Sequence, residues 1–160
     1  MDDTSAAPPR EHPVRRRVLP SPAELASWRS FLRAHAGVIR QLEAELEGEQ
    51  HLSLAAYDVL VQLSEAPGRA LRMTELADAV LLSRSGVTRL VDRLERAGLV
   101  ARAKVEADGR GVTAHLTDTG FDRLRVAAGT HLRGVRDHFV ERLDAGDLAD
   151  LERIMRRLVP

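Results

Sequence analysis

The chain has no cysteine among its 160 residues, which excludes disulfide bridges, thiolate nucleophiles and the common Cys-based zinc sites. That absence suits a reducing compartment, and a cytoplasmic location is expected. Aromatic residues are nearly as scarce. One Trp, one Tyr and three Phe cannot fill a core, which must therefore rest on Leu, Val and Ala, a mixture that favours helices. No apolar run approaches the roughly 18 residues that crossing a bilayer requires, and no hydrophobic segment of the signal-peptide kind opens the sequence, so no membrane partner is expected. Neither charge is in excess: 24 basic residues balance 24 acidic ones, which argues against nonspecific coating of nucleic acid and leaves that property to a local patch. A phosphate-cradling glycine loop, a GxSxG elbow and HExxH are all missing, so no enzymatic activity and no cofactor are expected. What is present, 44% hydrophobic and 30% charged residues at the size of one domain, describes a globular chain able to bury a core.

Residues 1–20 carry four prolines, a basic cluster at Arg15, Arg16 and Arg17 and no apolar period, which predicts a flexible N-terminal arm. At SPAE (21–24) serine as N-cap, proline at the first helical position and glutamate three residues after the cap open a long helix whose apolar positions recur until Gly48. A second helix is expected over Ser53 to Ala66, and a short one over Thr74 to Val80 with Thr74 as its cap. Ser83 caps the next, which closes at Gly98, a residue suited to the left-handed position past a helix end. Two short helices joined through Leu81 and Leu82 outline a helix-turn-helix. LVARAKV and VTAHLT then alternate around the turn signal Asp108-Gly109, which predicts a hairpin. Thr117 caps another long helix to about Leu143, with a stripe of Phe121, Leu124, Ala128, Leu132, Val135 and Phe139, and Asp147 opens a last helix ending near Leu158.

The helix after Ser83 holds the chemistry. With Val87, Leu90, Val91 and Leu94 turned inward, the opposite face collects Ser85, Thr88, Arg89, Asp92, Arg93 and Arg96. One account is a solvated face on which Asp92 pairs with Arg96 at (i, i+4) spacing. The other is a recognition helix whose donors Ser83, Arg84, Ser85, Thr88 and Arg89 crowd its N-terminal end, where such a helix enters a major groove. The hairpin favours the second, because Arg102, Lys104 and Arg110 put positive charge on a thin projection beside that helix. The sum is a winged helix-turn-helix.

These residues resemble the MarR family of bacterial transcriptional regulators. The similarity lies in RMTELADAVLLSRSGVTRLVDRLERAGLV (72–100), DGRG (108–111) and LTDTG (116–120), and spans about residues 21–159. It implies a mainly α-helical winged helix-turn-helix lobe at 49–117, with a helical dimerisation region formed by 21–48 and 118–160. It also implies a homodimer, which is expected to bind a pseudo-palindromic operator in double-stranded DNA and to repress, because a dimer of this size occupying a promoter blocks polymerase without needing an activation surface. Bases and phosphates would be contacted by Thr74, Ser83, Arg84, Ser85, Thr88, Arg89, Arg93, Arg102, Lys104 and Arg110, with Arg110 as the wing-tip arginine and Asp108 supporting the wing. Two departures stand out: Gly109 separates Asp108 from Arg110, and Ala101 occupies a place that is often arginine. The resemblance further implies a small phenolic or other anionic aromatic effector, for which Trp28, His35 and Tyr57 are candidate contacts; core or interface aromatics are the alternative. His131 and His138, seven residues apart with Glu141 beyond them, are too distant along a helix to share a metal ion unaided. A helical protein-interaction module or anti-repressor without DNA reading is the competing function.

Overall fold

The computed structural model describes residues 19–80, 82–104 and 111–158. All but the last two residues of the expected arm lie outside them, as do Leu81 in the helix-turn-helix link and the hairpin tip with Asp108 and Arg110. The chain divides into two units after Ala34.

The first unit contains the start of α1 (Pro22–Gln50). Its capping box forms as the sequence predicts: the Ser21 amide donates to Glu24 Oε2 at 2.6 Å and the Glu24 amide to Ser21 Oγ at 3.3 Å. Together these bonds hold the Glu24 carboxyl below the ordinary carboxylate range. One turn further on, Trp28 and Phe31 stack with ring centres 5.8 Å apart. The helix does not stop at Gly48. It ends at Gln50, and His51 makes the exit in the left-handed region at φ 48°.

The second unit begins inside α1 and continues through α2 (Leu54–Glu65), β1 (Ala70–Arg72), α3 (Met73–Ala79), α4 (Arg84–Arg96), β2 (Val100–Lys104), β3 (Val112–Leu116), α5 (Asp118–His138) and α6 (Ala145–Met155). Ser53 Oγ accepts the Ala56 amide at 3.2 Å and caps α2, while Glu43 of α1 takes the Leu54 amide at 2.7 Å. Both satisfy donors that a helix start leaves open. Leu46, Val59, Leu60, Leu63, Leu76, Val87, Val91 and Val100 are fully buried, so α1, α2, α3, α4 and the sheet share one aliphatic core. The sheet is antiparallel in the order β1-β3-β2, with Ala70 opposite His115, Arg72 opposite Thr113 and Val100 opposite Leu116.

Other elements and boundaries also differ from the sequence expectation. The strand β1 was not expected, since three residues are too few to show an alternating pattern. Thr74 does not cap α3: Glu75 reaches back to the Arg72 amide at 2.9 Å, the helix starts at Met73, and Thr74 sits exposed inside it. α5 stops at His138 rather than Leu143, and Arg142 Nε donates to the Asp137 carbonyl at 3.2 Å, satisfying an acceptor left open at the helix end. α6 opens at Asp144, whose carboxylate accepts the Asp147 amide at 2.8 Å, so Asp147 belongs to the first turn and is not its cap.

The α5 stripe also splits. Leu124, Ala127, Thr130 and Gly134 are buried against the protomer's own core, whereas Val126 and Leu132 are 61% and 63% exposed. A polar seam joins the buried face to α1. Thr130 Oγ1 accepts from Gln50 Nε2 at 2.9 Å and donates to Glu49 Oε2 at 3.1 Å. Arg133 binds Glu49 at 2.6 Å, His138 Nε2 lies 2.6 Å from Glu45 Oε1, and Arg123 donates to the Gln50 side-chain and main-chain oxygens.

Candidate nucleic-acid interface

Local chemistry sets the start of α4. Ser83 Oγ accepts the Gly86 amide at 3.1 Å and lies 3.3 Å from Ser85 Oγ, so the Ser83 hydroxyl serves the helix before it can serve a ligand. Thr88 Oγ1 likewise donates to the Arg84 carbonyl one turn back, at 2.9 Å. Val87, Leu90, Val91 and Leu94 anchor the inner face, and Gly98 at φ 71° turns the chain out of the helix into β2. Ser85, Thr88, Arg89 and Arg93 are thereby left exposed on the outer face, with Arg84 at its head.

The arginines of this face divide into two flanks. Arg89, Arg93 and Arg96 line one side of the helix, along a shallow groove of about 490 Å³ that also includes Leu82, Gly86 and Asp92. Neither these guanidinium groups nor that of Arg84 has a carboxylate partner among the described residues. Arg96 is not held by the Asp92 carboxylate as the spacing suggested; its Nε donates to the Asp92 main-chain carbonyl at 3.1 Å.

The other flank faces the sheet, across a groove of about 570 Å³ lined by Arg72, Thr74, Thr88, Asp92, Arg102 and Val112 among others. Here Arg102 is engaged. Its Nη1 lies 2.5 Å from Asp92 Oδ1 and 2.9 Å from Glu95 Oε2, its Nη2 donates to the Thr88 carbonyl at 3.1 Å, and its own amide donates to Glu95 Oε1 at 3.1 Å. Sequence reasoning placed Arg102 among free DNA-facing cations and overlooked Asp92 and Glu95 as its partners. The signal was present, because positions 88, 92 and 95 fall on one stripe of a helix, but nothing local says which strand residue meets that stripe. Lys104 ends β2; Asp108 and Arg110 lie outside the described residues.

The candidate ligand contacts fall in both units. Trp28 belongs to the first unit and stacks on Phe31. Tyr57 belongs to the second, where it is buried with its ring 4.5 Å from that of His131. Burial pushes the Tyr57 hydroxyl above its ordinary pKa, with Asp58 and Glu65 adding to the effect. Burial lowers His131 against the opposing pull of Asp58, and His131 Nδ1 is buried with no hydrogen-bond partner among the described residues. His131 and His138 thus have separate roles, the first against Tyr57 and the second on Glu45.

A helix pair with a donor-rich second helix, closed by a three-stranded antiparallel sheet, defines a winged helix-turn-helix protein. A sequence model of the MarR family matches residues 52–111. The fold is similar to that of AbsC, a MarR family transcriptional regulator from Streptomyces coelicolor, with 34% identity, 88% of this chain and 94% of that one covered, and a TM-score of 0.80. Sco3205 from the same organism, a MarR family transcriptional regulator solved in complex with DNA, is 36% identical over 88% of each chain, with a TM-score of 0.82. The chain belongs to the MarR family. Among curated proteins it is 34% identical over 88 residues to the HTH-type transcriptional regulator PecS of Dickeya dadantii, a match covering 54% of this chain and 52% of PecS. The chain spans about half the length of that relative and a little more of the others it matches. No helix among the described residues is long and apolar enough to cross a membrane.

Proposed function

We propose that this protein is a sequence-specific regulator of transcription that binds double-stranded DNA as a homodimer. The observation that carries the proposal is the set of exposed guanidinium groups on α4, those of Arg84, Arg89 and Arg93, with no carboxylate partner among the described residues, beside a winged sheet. On this reading α4 enters the major groove and the β2–β3 hairpin the flanking minor groove. Arg89, Ser85 and Thr88 meet base edges, Thr74, Arg84 and Arg93 meet phosphates, Lys104 and Arg110 serve the wing, and Asp108 supports it. Ser83 orients the group as the cap of α4. Family membership and the similarity to a regulator solved with DNA support the reading.

The homodimer accounts for large apolar side chains that one chain leaves in solvent: Phe31, Leu32 and Ile39 on α1, Val126 and Leu132 on α5, and Ile154 on α6. Two such chains present two copies of α4 to successive grooves of a pseudo-palindrome, and occupation of a promoter by a dimer makes repression the expected output. A small phenolic or other anionic aromatic effector is part of the proposal, with Tyr57 and His35 as candidate contacts in the second unit. The proposal assigns the protein no catalytic step, and its place of action is the cytoplasm, where the DNA is.

Selection of bound sequences from random duplexes tests the proposal, followed by anisotropy titration of the selected site. Arg89→Ala is expected to weaken the selected duplex at least tenfold, in line with about 1–3 kcal/mol for one base-reading pair, while melting temperature and dimer mass stay unchanged. A parent protein that enriches no sequence, or an Arg89→Ala variant that binds as the parent does, refutes the assignment.

A further inference from the structure

We infer that Arg102 is a positioning residue for DNA recognition: it ties β2 to the reading helix and neutralises two carboxylates of α4 that would otherwise confront the phosphate backbone. This rests on the DNA-binding function proposed above and adds to it a division of labour between the flanks of α4. Arg102 spans three helical steps, taking the Thr88 carbonyl, Asp92 and Glu95 with bonds of 2.5 to 3.1 Å. Its side chain is only 22% exposed, against 45% for Asp92 and 40% for Glu95. A guanidinium has five N–H donors in a fixed fork, so one committed to three acceptors on α4 offers little to a phosphate.

The acids matter more than the arginine. Arg102 is one cation against the two carboxylates of Asp92 and Glu95, whereas Arg89, Arg93 and Arg96 on the other side of α4 have no carboxylate partner among the described residues. Duplex DNA presents one negative charge per about 1.7 Å of axis, so attraction comes from the arginine flank and register from the tethered one. Loss of Arg102 strips both carboxylates of that cation and frees the helix from the root of the wing. Both effects act through Asp92 and Glu95.

A cycle of variants separates this role from direct contact. The affinity for a selected and a scrambled duplex is measured for the parent, Arg102→Ala, Asp92→Asn/Glu95→Gln and the combined triple variant, with thermal melting to follow the fold. Arg102→Ala alone is expected to weaken the selected duplex about tenfold or more and to narrow the ratio between the two duplexes. In the Asp92→Asn/Glu95→Gln background the same change costs less than about twofold, because the charges it neutralised are gone. The slope of log K against log salt then stays the same within that background, whereas a phosphate contact would lower it by about 0.9 per protomer. Arg102→Lys, which keeps the charge and one ion pair, recovers affinity to within about threefold of the parent. An additive cycle, a fall in slope within the neutral background, or a lysine variant no better than alanine overturns the role of Arg102. A parent that binds no duplex overturns the DNA-binding proposal as well.

Discussion

Replacement of Gly120 by alanine should unfold this protein more effectively than any other single methyl group added to α5. Gly120 lies in the first turn of that helix, where its amide donates to Thr117 Oγ1 at 2.9 Å, and the Thr117 hydroxyl in turn lies 2.7 Å from the Gly98 carbonyl and 3.1 Å from that of Leu99. A Cβ at position 120 would stand 2.0 Å from the Leu99 carbonyl oxygen and 2.8 Å from Leu116 Cδ1. Carbon and oxygen approach to about 3.3 Å, so helix or peptide must retreat by more than about 1 Å. The retreat stretches the bond from the Thr117 amide to the same Leu99 carbonyl, now 3.2 Å. Overpacking costs about 1–3 kcal/mol and loss of a cap about 1, while alanine regains about 1 in helix propensity; with immobile backbone as the obstacle, the net falls near 3 kcal/mol. For a chain of this size that is a melting shift of about 6–12 °C. Gly134→Ala is the control, because its Cβ would also be crowded, 2.5 Å from Glu45 Oε2 and 2.8 Å from Leu42 Cδ2. Those atoms end flexible side chains, and the net change should stay within about 1 kcal/mol. Scanning fluorimetry and urea titration compare the two. A Gly120→Ala variant that melts within about 2 °C of the parent, or above Gly134→Ala, refutes the reasoning.

Other perturbations have equally definite expectations. The half-buried imidazole of His131 has its pKa held below the ordinary 6.5, so its neutral form stabilises the fold above that pH and the contribution is lost as pH falls through 6.5 and below. Urea midpoints from pH 7.5 to 5.5 should fall more steeply for the parent than for His131→Phe, which has nothing to protonate there; parallel curves would contradict this. His51→Gly relieves a left-handed residue at the end of α1 and should raise the urea midpoint by the equivalent of about 0.5–1 kcal/mol. Ser83→Ala removes the cap of α4 and should cost about 1 kcal/mol in the same measurement, with a matching loss of amide protection in the first turn of that helix.

The sequence revealed most where the determining interactions are local. Ser21, Ser83 and Thr117 each cap the helix they were expected to cap, because a hydroxyl and an amide three residues later need no other part of the chain. Gly98 takes its left-handed turn for the same reason. Distant pairings were hidden. β1 exists only through β3, which lies more than forty residues downstream, and three residues carry no period of their own. Arg102 resembled a surface cation because its acidic partners belong to a different element. Along α5 the spacing marked one stripe that included Leu132, whereas packing turns Ala127 and Thr130 inward and leaves Leu132 facing out. Of the proposed DNA contacts, those on α4 follow from helical period alone. The wing contacts depend on how a hairpin meets that helix, which no local spacing encodes.

The middle position of β3 has a mechanical consequence. Both its neighbours are direct extensions of the reading helices: β1 runs without a break into α3, and β2 leaves α4 after the short turn at Gly98. The path β1–α3–α4–β2 is therefore a closed frame, riveted along both edges of one strand by ladders of three and five paired residues. Such a frame transmits force without changing its own shape, since any tilt of α4 against the hairpin must shear one ladder or the other. Any tilt of the frame as a whole must then be absorbed outside it, at residues 66–69 that lead from α2 into β1 and at the Thr117 junction. The frame moves as a single tool, and its two handles are the places where a signal could turn it.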